Sequence, residues 1–139
     1  MALACMPAWA AMPEGCPWLN AATAAGVLGG ETRTAVTATS CEFEHRAGNH
    51  EIRLRIEVKP SSASHEQCPP GGAPLKGIGN EATACSYRGK PGWIAEQVTG
   101  RVRDRAFLVR IATDDRSRSP QGLREQARNI AEEVAGILY

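Results

Sequence analysis

The sequence predicts an α+β domain in which two helices cover one face of an antiparallel sheet of about five or six strands. Several short segments alternate between apolar and polar residues, so each has a single apolar face. An alanine-rich segment with helix-capping residues precedes them, and an amphipathic segment with a helical period ends the chain. Strands with one apolar face are typical of an antiparallel sheet covered on one side.

The first helix is expected from Ala21 to Leu28. Asn20 before it is a good N-cap, and the pair Gly29 and Gly30 after it is a good stop for a helix. A strand rich in threonine and valine is expected to follow at residues 32–39. The chain therefore enters the sheet directly after a short helix.

The clearest strand comprises residues 52–59, where aliphatic and charged residues alternate. The alternating segment 41–45 precedes it, and a turn at residues 47–48 joins the two. This turn is expected to place Phe43 opposite Ile52, so that the apolar residues of both strands share one face. The two segments are therefore predicted to form a hairpin.

Residues 60–74 have the composition of a loop, which Cys68 could hold in place. A strand is expected at residues 82–88, and a second hairpin at residues 93–102 and 106–113. One register places all the apolar residues of this hairpin on one face, and its pairs are Val102 with Phe107, Gly100 with Val109, and Val98 with Ile111.

The last helix is expected to begin after Ser119, an N-cap residue, with Pro120 at its first position. Apolar residues then recur at spacings of four, three, four and three, which predicts one buried stripe. The stripe consists of Leu123, Ala127, Ile130, Val134 and Ile137.

Residues 1–11 are apolar and are expected to be a signal or lipoprotein segment, which leaves residues 12–139 as a single domain. Residues 8–10 have the small-x-small form of a signal peptidase site. Residues 2–5 loosely match a lipoprotein cleavage box, which would attach a lipid to Cys5. We therefore expect a periplasmic or secreted protein, either free or anchored through Cys5.

The remaining cysteines are also typical of an exported domain. Either cleavage leaves four cysteines for pairing, and an even number in an exported domain predicts two disulfide bridges. These cysteines are Cys16, Cys41, Cys68 and Cys85. Four cysteines allow three connectivities, and no C-x-x-C motif indicates a redox pair or a zinc site.

From Cys16 onwards the chain resembles a group of small exported bacterial domains, the LpqN-type lipoproteins and their relatives with a PsbP-like fold. The resemblance rests on CPWLN at 16–20, the strand residue Cys41, GIGNEA at 77–82 and REQARNIAEEVAGIL at 124–138. It implies the fold, export and a bridge from Cys16 to Cys41, which leaves Cys68 with Cys85. It implies no activity, because members of this group are mostly non-catalytic or unassigned.

The three histidines of the chain are candidate metal ligands. The expected hairpin register sets His45 opposite His50, and two imidazoles at that distance could hold a divalent cation. No third ligand is evident, so a solvated hairpin end is the preferred interpretation. His65 lies in the loop and lacks the H-E-x-x-H pattern of a helical zinc site. We therefore expect no metal.

Patterns of catalysis and cofactor binding are weak in this sequence. No G-x-S-x-G motif is present, and the adjacent carboxylates at 114–115 and 132–133 do not share a face. Residues 77–79 lack the third glycine of a dinucleotide fingerprint and are interpreted as a tight bend before a strand. We therefore expect neither a catalytic residue nor a cofactor.

Arginines on the polar side of the sheet are the remaining candidates for a site. Arg53, Arg55, Arg101 and Arg103 are expected to share this face, where bidentate contacts could bind an anionic ligand or an envelope partner. The alternative is a solvated face with ion pairs such as Glu42 with Arg53. A net charge of +1 and the scarcity of aromatic residues argue against a nucleic-acid partner.

These observations favour a non-catalytic binding module of the cell envelope, which would use the sheet face or the loop at residues 60–74. A hydrolase with an unrecognised site and a structural accessory of an envelope assembly are the alternatives. A deep pocket with converging titratable groups would favour the enzyme. An exposed sheet face carrying arginines would favour the module.

Overall fold

The computed structural model describes residues 15–139. The expected signal or lipoprotein segment, including Cys5, lies outside the described residues. The helices are α1 (Ala21–Leu28) and α2 (Pro120–Leu138). The strands are β1 (Arg33–Val36), β2 (Ser40–Ala47), β3 (His50–Pro60), β4 (Ala73–Leu75), β5 (Glu81–Ser86), β6 (Ile94–Val102) and β7 (Arg105–Thr113). Between residues 15 and 139, no helix combines the length and the hydropathy that crossing a membrane requires.

The strands form one antiparallel sheet in the order β1-β2-β3-β7-β6-β5-β4. The α+β class and the antiparallel sheet are confirmed, but the sheet has seven strands rather than five or six. The additional strand is β4, which lies in the segment that was expected to be a loop. It has three residues, and Pro74 is one of them. A proline is tolerated there because β4 lies at the edge of the sheet.

Both helices pack on one face of this sheet. In β3, Ile52, Leu54, Ile56 and Val58 are at most 4% exposed and belong to the same hydrophobic cluster as buried residues of both helices. Helix α1 contacts β2 and β3, whereas α2 contacts β5, β6 and β7. We call the opposite face of the sheet the outer face.

The helix boundaries follow from the predicted caps. The Asn20 side chain accepts a hydrogen bond from the Thr23 amide at 2.7 Å, and Ser119 accepts one from the Gly122 amide at 2.9 Å. The predicted stripe of α2 is buried from Leu123 to Val134, but Ile137 is 55% exposed. In the last turn it is Leu138 that packs against the core, because the helical period brings the fourth residue after Val134 to that side.

Both hairpins have registers two residues away from the expected ones. In β2 and β3, Phe43 pairs with Leu54, and in β6 and β7, Gly100 pairs with Phe107. The expected pairings centre the turns on residues 47–48 and 104–105, whereas the turns lie at residues 48–49 and 103–104. A shift of two residues leaves every side chain on its predicted face, because side chains in a strand alternate with a period of two.

The two turns satisfy the same conformational requirement with different residues. The first central residue of such a two-residue turn adopts a positive φ, which favours glycine. Gly48 has φ 62°, and Arg103 has φ 56° in the equivalent position. Among residues 15–139, Arg103 is the one non-glycine residue in this region. Its amide donates a hydrogen bond to Asn80 Oδ1, which helps to hold the turn.

Two disulfides connect the predicted pairs. Cys16 and Cys41 are joined with an S–S distance of 2.09 Å, and Cys68 and Cys85 with one of 2.05 Å. The first bridge lies in the core beside the helices, because Cys41 belongs to the hydrophobic cluster. The second lies on the outer face. Two bridges indicate an oxidising, extracytoplasmic compartment.

Candidate functional site

Residues 61–72, which we call the strap, cross the outer face between β3 and β4. The Cys68 amide donates a hydrogen bond to Thr99 Oγ1 at 3.3 Å, and the bridge to Cys85 fixes this point of the strap. Thr99 and Gln97 are only 7% and 2% exposed. The outer face is therefore partly covered, whereas the sequence predicted it to be open.

Beyond the strap, the outer face has a depression that we call the trough. Its floor includes Ala95 and Ala112, which are direct cross-strand neighbours. Because these two side chains are small and the surrounding side chains are long, a cavity of about 210 Å³ remains above the two alanines. Its walls are formed mainly by Arg53, Arg55, Tyr87, Lys90, Trp93 and Arg110.

Two aromatic residues from the connection between β5 and β6 line the trough. The Tyr87 amide donates a hydrogen bond to the Ala95 carbonyl at 3.0 Å, and the Trp93 amide donates one to the Lys90 carbonyl at 3.1 Å. The first bond attaches the start of the connection to β6, and the second closes a turn within the connection. The rings of Tyr87 and Trp93 are thereby held beside the alanine floor.

Each aromatic ring also contacts cationic groups. The guanidinium carbon of Arg110 lies 3.5 Å from the centroid of the Tyr87 ring. The Lys90 ammonium and the Arg53 guanidinium lie 5.2 and 5.4 Å from the Trp93 ring centroid. Such cation–π contacts are each worth about 0.5–2 kcal/mol, depending on solvent exposure. They join the aromatic and basic parts of the wall into one surface.

Arg55 and Arg110 are direct cross-strand neighbours on β3 and β7, and both line the trough. Like charges in directly opposite positions destabilise a sheet, so both guanidinium groups need anionic or polar partners. Arg55 donates to Glu42 at 3.2 Å and to Glu57 at 2.8 Å. These two carboxylates offset the repulsion at Arg55.

Arg110 also has two hydrogen-bond partners, one neutral and one anionic. Its Nε donates to Gln97 Oε1 at 2.9 Å, and its Nη2 donates to the Glu66 carboxylate of the strap. The Arg110 side chain is 14% exposed. The strap therefore helps to orient one of the two paired arginines.

Ionisation at this site is coupled across the strands. Burial raises the pKa of Glu57, but the hydrogen bond from Arg55 and the charges of Lys59 and Arg55 outweigh it, so the pKa lies below its ordinary value. Burial lowers the pKa of Arg55, but its hydrogen bonds to Glu57 and Glu42 raise the pKa above its ordinary value. Arg55 is therefore permanently charged, and the Glu57 carboxylate is stabilised as an anion.

Arg53 is held by acidic residues as well. Its Nε lies 3.5 Å from Glu44 and also contacts Glu51. The Glu51 side chain is only 9% exposed and also accepts a hydrogen bond from Arg46 at 3.0 Å. The Arg53 side chain is consequently fixed at the edge of the trough.

The structure brings together two of the four arginines that the sequence predicted to share a site, Arg53 and Arg55. Arg101 is also on the outer face, but it pairs with Glu81 at 3.4 Å and lines a separate cavity beside the strap. Arg103 is not on the face, because it occupies the two-residue turn after β6. The expected set of four is therefore wrong as a single cluster.

The expected pairing of His45 with His50 is also wrong, because the turn lies one residue later than expected and changes the register. His45 is opposite Ile52, and its Nδ1 lies 2.8 Å from the Glu31 carbonyl oxygen. His50 Nδ1 lies 3.4 Å from Asp114 Oδ1. Nothing in the described range 15–139 groups three or more metal-ligating side chains in a way that could hold a metal ion.

Tyr87, Lys90, Trp93 and Arg110 were missed from sequence as members of a site. Two signals could have indicated them. Tyr87 and Trp93 flank the glycine- and proline-containing segment 89–92, although aromatic residues are only 5% of the chain. Arg110 interrupts an otherwise apolar strand at a position whose alternation directs it to the outer face. These signals point to a common site only when the register between β3 and β7 is known.

No protein-family model matches the chain, and no curated protein is similar to it.

Proposed function

We propose that this chain is an exported, non-catalytic binding domain of the bacterial cell envelope, related to the LpqN-type and PsbP-like group. In this proposal it holds an anionic ligand or an anionic part of an envelope partner in the trough. The observation that carries the proposal is the composition of the cavity lining. Four cationic side chains and one carboxylate, that of Glu42, surround a floor of alanine and two aromatic rings.

Export is supported by the two disulfides and by the apolar segment at residues 1–11. The two expected processing routes lead to different forms of the protein. Cleavage after a signal peptide would release it into the periplasm or the medium, whereas lipidation would anchor it through Cys5. Fractionation of native cells, followed by mass spectrometry of the mature N-terminus, distinguishes the two forms.

The proposal that the trough binds a ligand is supported by the way its two paired arginines are held in place. Arg55 and Arg110 project from the two central strands, and neighbouring carboxylates and the Gln97 amide orient their guanidinium groups. Guanidinium is suited to bidentate recognition of carboxylates and phosphates. Small-molecule sites are typically concave and mostly apolar, with a few oriented polar groups. The trough has this composition, which favours binding over a purely structural role.

The test is to identify what the protein carries from its own cell. Wild-type protein and an Ala112→Leu variant, whose larger side chain fills the trough floor, are purified from the native envelope and analysed by native mass spectrometry. An Ala22→Leu variant, at an exposed position of helix α1 on the opposite side of the sheet, is the matched control. We expect an anionic ligand or partner on wild type and on the Ala22→Leu control but not on the Ala112→Leu variant.

Two results would contradict the proposal. Equal recovery of the same ligand from all three proteins would place binding elsewhere on the chain. Conversion of the recovered compound into a product, dependent on trough residues, would favour the hydrolase hypothesis instead.

A further inference from the structure

The paired arginines of the trough have donors available for a ligand. Each guanidinium has five N–H donors, and Arg55 and Arg110 each donate to two protein partners. These partners are Glu42 and Glu57 on Arg55, and Gln97 and Glu66 on Arg110. The remaining donors belong to guanidinium groups on two directly paired residues of neighbouring strands, and both residues line the trough. A single carboxylate between them could be bound by both.

The position of Glu42 indicates which ligand group fits. Among the four partners of the arginine pair, Glu42 is the one that lines the trough. Its carboxylate lies 3.2 Å from Arg55 Nη1 and is 37% exposed. A carboxylate of the chain itself thus occupies the trough side of the arginine pair, where a ligand carboxylate would bind.

The rest of the cavity fits a flat ring. Tyr87 and Trp93 supply aromatic walls, and Ala95 and Ala112 give a floor without long side chains. A volume of about 210 Å³ corresponds to roughly seven water molecules at about 30 Å³ each. Such a cavity has room for one six-membered ring and its acidic substituent.

We propose that the trough binds a small aromatic carboxylate of about the size of benzoate. Its carboxylate lies between Arg55 and Arg110, and its ring lies against Tyr87 and Trp93. Glu42 competes with the ligand carboxylate for Arg55. This inference rests on the function proposed above and gives the chemical class of the ligand.

The test uses three probes that differ by one feature each. Benzoate has both the ring and the charge, benzamide has the ring without the charge, and acetate has the charge without the ring. Binding is followed by NMR titration, observing the Trp93 indole and the Arg55 and Arg110 side chains. We expect benzoate to bind more tightly than either of the other probes and to shift all three signals.

Two substitutions test the role of the charges. Glu42→Gln removes the competing charge while keeping the size of the side chain, and we expect it to tighten benzoate binding by up to about fivefold, the value of an exposed ion pair. Arg55→Gln should weaken benzoate by about tenfold or more, because it removes a charge-assisted hydrogen bond. Glu81→Gln is the control, since Glu81 pairs with Arg101 away from the trough.

Each contrary result would overturn a particular part of the proposal. Equal affinity for benzamide would overturn the carboxylate assignment, and equal affinity for acetate would overturn the role of the ring. The competition is refuted if Glu42→Gln has no more effect than Glu81→Gln. A native ligand of another chemistry, recovered from wild type but not from Ala112→Leu, would refute this inference and leave the proposed function standing. Both fail if neither the probes nor native extracts shift the Trp93 signal.

Discussion

Removing each disulfide bridge in turn measures how much that bridge contributes to the free energy of unfolding. The variants replace Cys16 and Cys41, or Cys68 and Cys85, by alanine in a Cys5→Ala background, so that no unpaired thiol remains to exchange. The bridges span 25 and 17 residues. Restriction of the unfolded chain by loops of these lengths is worth about 3.5 and about 3.1 kcal/mol. On this basis alone, the two losses should be nearly equal.

The native contacts make the two losses differ. Residues 15–20 reach the core through Trp18 and Leu19, which are 6% and 3% exposed, and Cys41 is fully buried. The first variant should therefore lose somewhat more than about 3.5 kcal/mol. The strap bridge joins the half-buried Cys68 to Cys85 on the outer face, and neither belongs to the hydrophobic cluster. Its loss should therefore stay at about 3 kcal/mol, which lowers Tm by roughly 10 °C in a domain of this size.

Urea unfolding and limited proteolysis measure these effects. The change in unfolding free energy comes from the urea midpoint at constant slope. A glutamate-specific protease should cut at Glu66, which is 45% exposed in the strap, faster in the Cys68/Cys85 variant than in the other two proteins. The reasoning is refuted if the Cys16/Cys41 variant is the more stable of the two. An equal cleavage rate in all three proteins would show that the bridge does not hold the strap.

Three further changes test the turns, the core and the ion pairs. Arg103→Gly should stabilise the protein by about 0.5–1 kcal/mol. The left-handed backbone conformation costs about 1–2 kcal/mol for a non-glycine residue, and the conformational entropy of glycine in the unfolded chain offsets part of that gain. A urea midpoint at or below that of wild type contradicts this. Gly100→Ala should destabilise by about 1–3 kcal/mol, since an added Cβ would lie 2.6 Å from the Phe107 ring; an unchanged midpoint argues against the register. The lowered pKa of Glu57 means that its contribution to stability is complete above the ordinary carboxylate pKa and is lost as the pH falls through the lowered value. Urea midpoints at pH 7 and pH 3 should therefore differ less in Arg55→Gln than in wild type, and an equal difference would contradict this.

Faces were predictable from the sequence, whereas registers were not. In β3, the alternation from Ile52 to Val58 decides which side chains enter the core. Several pairings satisfy that alternation, because any shift by two residues preserves the faces. The position of each turn along the chain decides among them. The sequence GN at 48–49 carries a recognisable turn signal, but Arg103 is unfavourable for the same role and conceals the second turn.

The trough depends on contacts that no local pattern reveals. The Glu66–Arg110 pair joins residues 44 positions apart, through a strap whose path is determined by the Cys68 bridge. Ala95 and Ala112 form a floor only in the observed register. Arg53 and Arg55 were predictable because they alternate with the core residues of a single strand. The aromatic wall was not predictable, because it comes from a connection between strands.

The strap has a consequence for how such a domain could diversify. It is anchored at its first residue, by the hydrogen bond from the Ser61 amide to the Asp104 carbonyl, and at Cys68 by the disulfide bridge, while the helices and the core lie on the other side of the sheet. Changes in length or composition between these anchors would alter how much of the outer face is accessible without repacking the interior. Ligand preference and folding are thus encoded in largely separate parts of the sequence, and one can change while the other is conserved.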